Sequence, residues 1–139
     1  EDASPYKKAC ARAYGAEVVD RGVTAENREE VARALQEETG YALIHPFDDP
    51  LVIAGQGTAG LELLAQAGRM GVFPEAVLAP VGGGGLLAGL ATAVKALSPT
   101  TLLLGVEPEV ADDARRSLEA GRLFRLEAPP RPGRTGCGR

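Results

Sequence analysis

Apolar and polar positions along the chain switch repeatedly between a helical and a strand-like period. Ser4-Pro5 opens a first helix, with a hydroxyl at the N-cap and proline at the first helical position, and Gly15 closes it. Residues 16–20 read as a short strand around Val18 and Val19. Thr24 caps a second helix with Val31, Ala34 and Leu35 on its apolar face, ending at Gly40. Residues 41–45 form a second expected strand, stopped by Pro46. After a polar hinge at Phe47-Asp48-Asp49-Pro50, a longer helix is expected over about 53–68, with Leu61, Leu63, Leu64 and Ala67 as apolar positions. Residues 76–81 are almost wholly apolar, as in a strand buried on both faces of a parallel sheet. A helix over 86–97, a strand over 101–106 and a helix over 110–120 follow. This alternation predicts an α/β fold, with parallel sheets and helices on both faces.

Composition adds exclusions. Fifteen basic against nineteen acidic residues give a net charge of −4, and no basic patch offers to neutralise nucleic-acid phosphates or an anionic membrane. No apolar run has membrane-spanning length. The two cysteines, Cys10 and Cys137, lie in unlike contexts and read as free thiols of a cytoplasmic protein. The chain begins with Glu1, and residues 129–139 lack apolar periodicity. The expectation is an incomplete chain with an unstructured, non-native tail.

The run Gly82-Gly83-Gly84-Gly85 lies between an apolar strand and a helix. Glycines persist there when side chains must be absent, so that main-chain N–H groups and the positive helix end can face an anion. The plain alternative is a flexible turn. A Walker-type triphosphate site is excluded, because no lysine followed by Ser or Thr comes after these glycines. A dinucleotide remains an alternative: Gly83-Gly84-Gly85-Leu86-Leu87-Ala88 satisfies G-x-G-x-x-A, and Glu107 ends the next strand. That reading would make the chain an NAD-binding segment of an oxidoreductase. Gly55-Gln56-Gly57-Thr58-Ala59-Gly60 matches G-x-G-x-x-G but follows no long strand, and reads as a close-packed helix start.

The order Ser4-Pro5-Tyr6-Lys7-Lys8, Tyr14-Gly15-Ala16, His45-Pro46-Phe47, Ala54-Gly55-Gln56-Gly57-Thr58, Pro80-Val81-Gly82-Gly83-Gly84-Gly85-Leu86 and Glu107-Pro108 resembles the threonine dehydratase and serine racemase family of fold-type-II pyridoxal phosphate enzymes. The resemblance covers about residues 1–130. It implies a two-lobed fold, with 1–50 the end of a small domain, 51–128 part of a large cofactor domain, and a hinge near 47–51. It also implies that Gly82, Gly83, Gly84 and Gly85 hold the phosphate of pyridoxal 5'-phosphate, with the Leu86 N–H assisting. The implied reaction removes water and then ammonia from L-threonine or L-serine in a homodimer or homotetramer.

In serine racemase-like members a divalent cation is held by a glutamate, an alanine carbonyl and an aspartate, which correspond here to Glu107, Ala111 and Asp113. All-oxygen ligands suit Mg²⁺, Ca²⁺ or Mn²⁺. The competing reading is that Asp112 and Asp113 merely complement a helix dipole. The family's Schiff-base lysine and its Ser-x-Gly-Asn-His-Gly loop belong upstream of Glu1, and the partner of the pyridine nitrogen belongs downstream of Arg139. Lys7, Lys8 and Lys95 do not fit that lysine's setting, so no catalytic residue is assigned and the chain alone is expected to be inactive. The only histidine, His45, ends an expected strand at the hinge and reads as structural or as a cleft liner rather than as a general base.

Overall fold

The computed structural model describes residues 3–124. The expected tail at 129–139 and Cys137 lie outside the described residues. The chain divides between Leu43 and Ile44 into two compact units. Among the described residues no helix is long and apolar enough to cross a membrane.

The first unit carries α1 (Pro5–Ala13) and α2 (Arg28–Thr39). Pro5 stands in the first turn of α1, and Gly15, at φ 85°, follows its C-cap. Lys8 donates to Asp20 at 2.9 Å, which ties the segment after α1 back onto the helix, and Arg12 approaches the same carboxylate at 3.7 Å. The helix expected from Thr24 starts later. Thr24 Oγ1 instead accepts N–H groups of Glu26 and Asn27 in a tight turn, and Asn27 is the N-cap. Gly40, at φ 71°, ends α2 as expected, because glycine enters the left-handed region without a Cβ clash.

The strands expected at 16–20 and 41–45 are not formed. A strand exists only as part of a hydrogen-bonded ladder, and neither segment has a partner strand among the described residues. Apolar alternation marks a segment able to enter a sheet; it does not supply the neighbour.

The second unit is built on α3 (Pro50–Arg69), β1 (Ala76–Pro80), α4 (Gly85–Leu97) and β2 (Leu102–Val106), followed by a 3₁₀ turn (Glu109–Ala111) and α5 (Asp113–Ala120). The last two residues of the expected hinge segment begin α3. Asp49 is its N-cap and accepts from the N–H groups of Leu51 (2.8 Å) and Val52 (3.1 Å), with Pro50 in the first turn.

β1 and β2 pair in parallel with Ala76 opposite Leu102 and Pro80 opposite Val106. The ladder continues at both ends, through Leu102 N–H to Glu75 O and Val81 N–H to Val106 O. Burial alternates along β1: Val77 and Ala79 are in the core, whereas Leu78 is 64% exposed. The expectation of a strand covered on both faces therefore holds for one face, where α4 packs. Thr101 is buried and fully satisfied, donating to Pro74 O at 2.8 Å and sharing a 2.8 Å bond with Ser98 Oγ.

The α3–α4 contact is made through small residues. Gly57 and Gly60 of α3 are buried against Gly89, Leu90, Ala93 and Val94 of α4. A Cβ at Gly89 would stand 2.6 Å from Gly57 N, so the two backbones approach too closely for a side chain. The expected apolar positions Leu61 and Leu63 are 46% and 37% exposed, while Leu64 and Ala67 continue the inward stripe. The G-x-G-x-x-G segment is thus a helix-packing stripe inside α3, and no strand precedes it among the described residues.

Candidate functional site

The glycine run joins β1 to α4 at the carboxyl end of the parallel strands, where open α/β sheets present their ligand sites. Gly84 is the N-cap of α4 with φ 86°, a conformation that strains any residue with a Cβ. Its carbonyl accepts the N–H of Ala88 at 2.9 Å. The N–H groups of Gly85, Leu86 and Leu87 precede that bond and have no acceptor within the helix. No side chain caps this end.

The four glycines answer different demands. A Cβ on Gly83 would fall on ring atoms Cγ, Cδ1 and Cδ2 of Phe47. On Gly85 it would stand 2.7 Å from Phe47 O and 3.0 Å from its Cα. Gly84 is required by its dihedral angle. Gly82 alone has neither demand: nothing lies within 4 Å of its Cβ position and its φ is not left-handed. Protein packing and backbone conformation explain three glycines and leave the fourth facing open space. That is the geometry of an anion cradle: bare main chain, N–H groups without helix partners and the positive end of a 13-residue helix. The residues present therefore fit a phosphate.

The sequence pattern gives no sign that Phe47 contacts this loop. It reaches Gly83 and Gly85 from a turn 36 and 38 residues earlier in the same unit. His45 lies in that turn rather than at a strand end. Its Nδ1 accepts the N–H of Asp48 at 2.8 Å, and its ring meets Phe47 edge-on at 4.7 Å. No local signal could have found the contact, because it depends on how the chain returns.

Glu107, Ala111 and Asp113 lie in and just before the start of α5. Both carboxylate oxygens of Glu107 accept main-chain N–H groups, from Ala114 at 3.2 Å and Arg115 at 2.8 Å, so this side chain caps the helix from outside it. Asp112 pairs with Arg115 and lies 3.8 Å from Arg116. The side chains of Asp112 and Glu119 hold the Arg115 guanidinium above its ordinary value through hydrogen bonds. Ala111 closes the 3₁₀ turn, and the Asp113 carbonyl accepts from Ser117 Oγ. Among the described residues no three His, Cys, Asp or Glu side chains gather as metal ligands. Asp113 stands in the first turn of α5, as the dipole reading expects, whereas the hydrogen-bonded cap comes from Glu107.

Two of the three lysines are engaged elsewhere. Lys8 is held by Asp20, and Lys95 donates to Pro99 O at 3.0 Å, ten residues along α4 from Gly85 and so about 15 Å up the helix.

Residues 1–135 match the family described as pyridoxal-phosphate dependent enzyme. The L-threo-3-hydroxyaspartate ammonia-lyase of Saccharomyces cerevisiae is 43% identical over 129 residues, 93% of this chain and 38% of that protein. Serine racemase of Homo sapiens is 43% identical over 130 residues, 94% of this chain and 37% of its own length. The crystal structure of a T.th. threonine deaminase superposes with a TM-score of 0.88 at 94% identity, over 91% of this chain and 41% of that one. The chain thus spans about two-fifths of the length of these relatives. The dinucleotide alternative loses its ground, since the match to the pyridoxal-phosphate dependent enzyme family runs through both glycine-rich segments. With a match over nearly its whole length, this chain belongs to the pyridoxal-phosphate dependent enzyme family.

Proposed function

We propose that the protein carrying this chain is a threonine dehydratase-like ammonia-lyase that converts L-threonine or L-serine to a 2-oxo acid. Relatives named as ammonia-lyases and a threonine deaminase support this reaction class. The observation that carries the reading is the cradle: Gly82 opens onto free space while the N–H groups of Gly85, Leu86 and Leu87 await an acceptor. Gly82 to Gly85 and Leu86 would hold the phosphate of pyridoxal 5'-phosphate. When bound, that cofactor supplies an electron sink for the carbanion formed at the substrate's α-carbon. This chain's own contribution is positional. The main chain fixes the phosphate and hence the cofactor's place, and the helix end behind it stabilises the negative charge. Lys95, the one lysine in the loop's own unit, donates to Pro99 O, and the resemblance puts the reactive amine outside this chain, so the chain by itself is proposed to be inactive.

A divalent cation, Mg²⁺, Ca²⁺ or Mn²⁺, at Glu107, the Ala111 carbonyl and Asp113 is a second element of the proposal. A carboxylate has about four lone-pair sites, so Glu107 can cap α5 and still offer one to a cation. The whole protein is proposed to act in the cytoplasm as a homodimer or homotetramer.

The test is a spectral titration of the full-length protein with pyridoxal 5'-phosphate, followed by an assay for 2-oxo acid release from L-threonine and L-serine. A new absorbance band and product from either amino acid are expected. NADH fluorescence enhancement with no such band would overturn the reading.

A further inference from the structure

His45 and Phe47 form a device that the cradle reading does not absorb. Nδ1 of His45 accepts the N–H of Asp48 at 2.8 Å and faces that of Phe47 at 3.4 Å. A side-chain acceptor bonded to main-chain N–H groups two and three residues ahead is the pattern by which Asn and Asp close tight turns. The imidazole Nδ1 stands as many bonds from its Cα as the Oδ1 of asparagine, so a histidine can play the same part. An accepting Nδ1 carries no proton, which leaves the ring proton on Nε2.

The turn aims its third residue, Phe47, at the glycine run. The Phe47 ring lies against Gly83, and its carbonyl and Cα lie against Gly85, so both glycines are obligatory because of this one residue. The His45 ring backs Phe47 in an edge-on contact with an interplanar angle of 81°. Two residues further on, Asp49 caps α3, whose small-residue stripe packs α4. The run from His45 to Asp49 therefore braces the loop directly and braces the helix behind it through α3.

We infer that His45 and Phe47 are positioning residues for the phosphate loop: His45 acts as a turn acceptor rather than as an acid or base, and Phe47 is the wedge that sets the spacing of Gly83 and Gly85. The inference rests on the reading of the glycine run as a phosphate cradle. It places a functional requirement on two side chains that touch neither substrate nor phosphate in that reading.

The experiment compares the dissociation constants of the full-length protein for pyridoxal 5'-phosphate and for pyridoxal, which lacks the phosphate. Their ratio reports the grip of the loop alone. His45→Ala and Phe47→Ala are expected to shrink that ratio about ten- to hundredfold, as small displacements of a binding group do. His45→Asn is expected to restore it to within about twofold of the parent, since it returns the acceptor without the imidazole. Phe47→Leu, which keeps bulk but not the flat ring, is expected to fall between parent and Phe47→Ala, and it keeps the question open to measurement if the alanine variant does not fold. A parent ratio near one, or one unmoved by Gly82→Ala, would sink the cradle reading itself. A large ratio that responds to Gly82→Ala but not to His45→Ala or Phe47 substitution would overturn the positioning role alone. His45→Asn behaving like His45→Ala would remove the turn-acceptor role.

Discussion

Gly82→Ala separates what the glycine run does for the fold from what it does for a ligand. At Gly82 the space a Cβ would enter is open, and φ lies outside the left-handed region. Alanine there should leave the apo protein's stability unchanged or raise it by up to about 1 kcal/mol, because the unfolded chain loses freedom. If the phosphate lies over this residue, a methyl group displaces it from one main-chain N–H. A hydrogen bond to a charged partner is worth about 1.5–3 kcal/mol, or about 10- to 150-fold in dissociation constant. The neighbours behave differently. Gly84→Ala forces a Cβ into φ 86° and should cost about 1–2 kcal/mol of stability. Gly85→Ala brings a Cβ to 2.7 Å from Phe47 O and should cost about 1–3 kcal/mol as the backbone shifts. Urea denaturation of the apo full-length variants, set beside titrations with pyridoxal 5'-phosphate and with pyridoxal, reads both effects. The reasoning is refuted if Gly82→Ala destabilises the apo protein as much as Gly84→Ala does, or if it weakens pyridoxal as strongly as its phosphate.

Gly89→Ala should cost about 1–3 kcal/mol of stability and lower the urea midpoint accordingly, since its Cβ would meet Gly57 N at 2.6 Å and push α3 from α4; an unchanged midpoint would contradict the close approach. Glu107→Gln keeps only one acceptor oxygen for the two N–H groups of Ala114 and Arg115 and removes a negative charge from the start of α5, a loss of about 0.5–1 kcal/mol. Faster amide exchange at Ala114 and Arg115 is the expected sign, and loss of any Mg²⁺-dependent rise in melting temperature would support the cation. The hydrogen bond from Lys8 holds the Asp20 carboxyl below the ordinary carboxylate range. A depressed folded-state pKa contributes stability that is present above the unfolded value, about pH 4, and is lost as the pH falls through the folded value. Lys8→Met should therefore flatten the loss of stability below about pH 4, and an identical acid limb in parent and variant would show that the pair contributes nothing.

Much of the second unit is legible in the sequence because its signals are local. The apolar runs at 76–81 and 101–106 match β1 and β2 within a residue, and the helix expected at 86–97 starts one residue earlier. Proline and glycine mark helix ends at Pro5, Gly15 and Gly40 through their own backbone limits. The strands at 16–20 and 41–45 fail for the opposite reason, as a ladder needs a neighbour that a periodic pattern cannot guarantee. On α3 hydrophobicity points correctly to Leu64 and Ala67 but also to the exposed Leu61 and Leu63, and it misses the tightest helix contact, which is made where side chains are missing, at Gly57, Gly60 and Gly89. Asp49 looks like part of a hinge, although Asp before Pro is equally a helix-start signal.

By itself the sequence determined that a bare stretch of main chain joins an apolar strand to a helix, since four consecutive glycines admit few other uses, and it carried the family resemblance. It also placed acids at 107, 112 and 113 near a helix start. Only the tertiary structure decided which glycine serves which demand, because that depends on Phe47 arriving from a distant turn and on one dihedral angle at Gly84. It likewise decided that Glu107, six residues before α5 begins, caps the helix while Asp112 turns to arginine. Spacing along a chain sets what each residue can do alone; contacts across it set which of those options is taken.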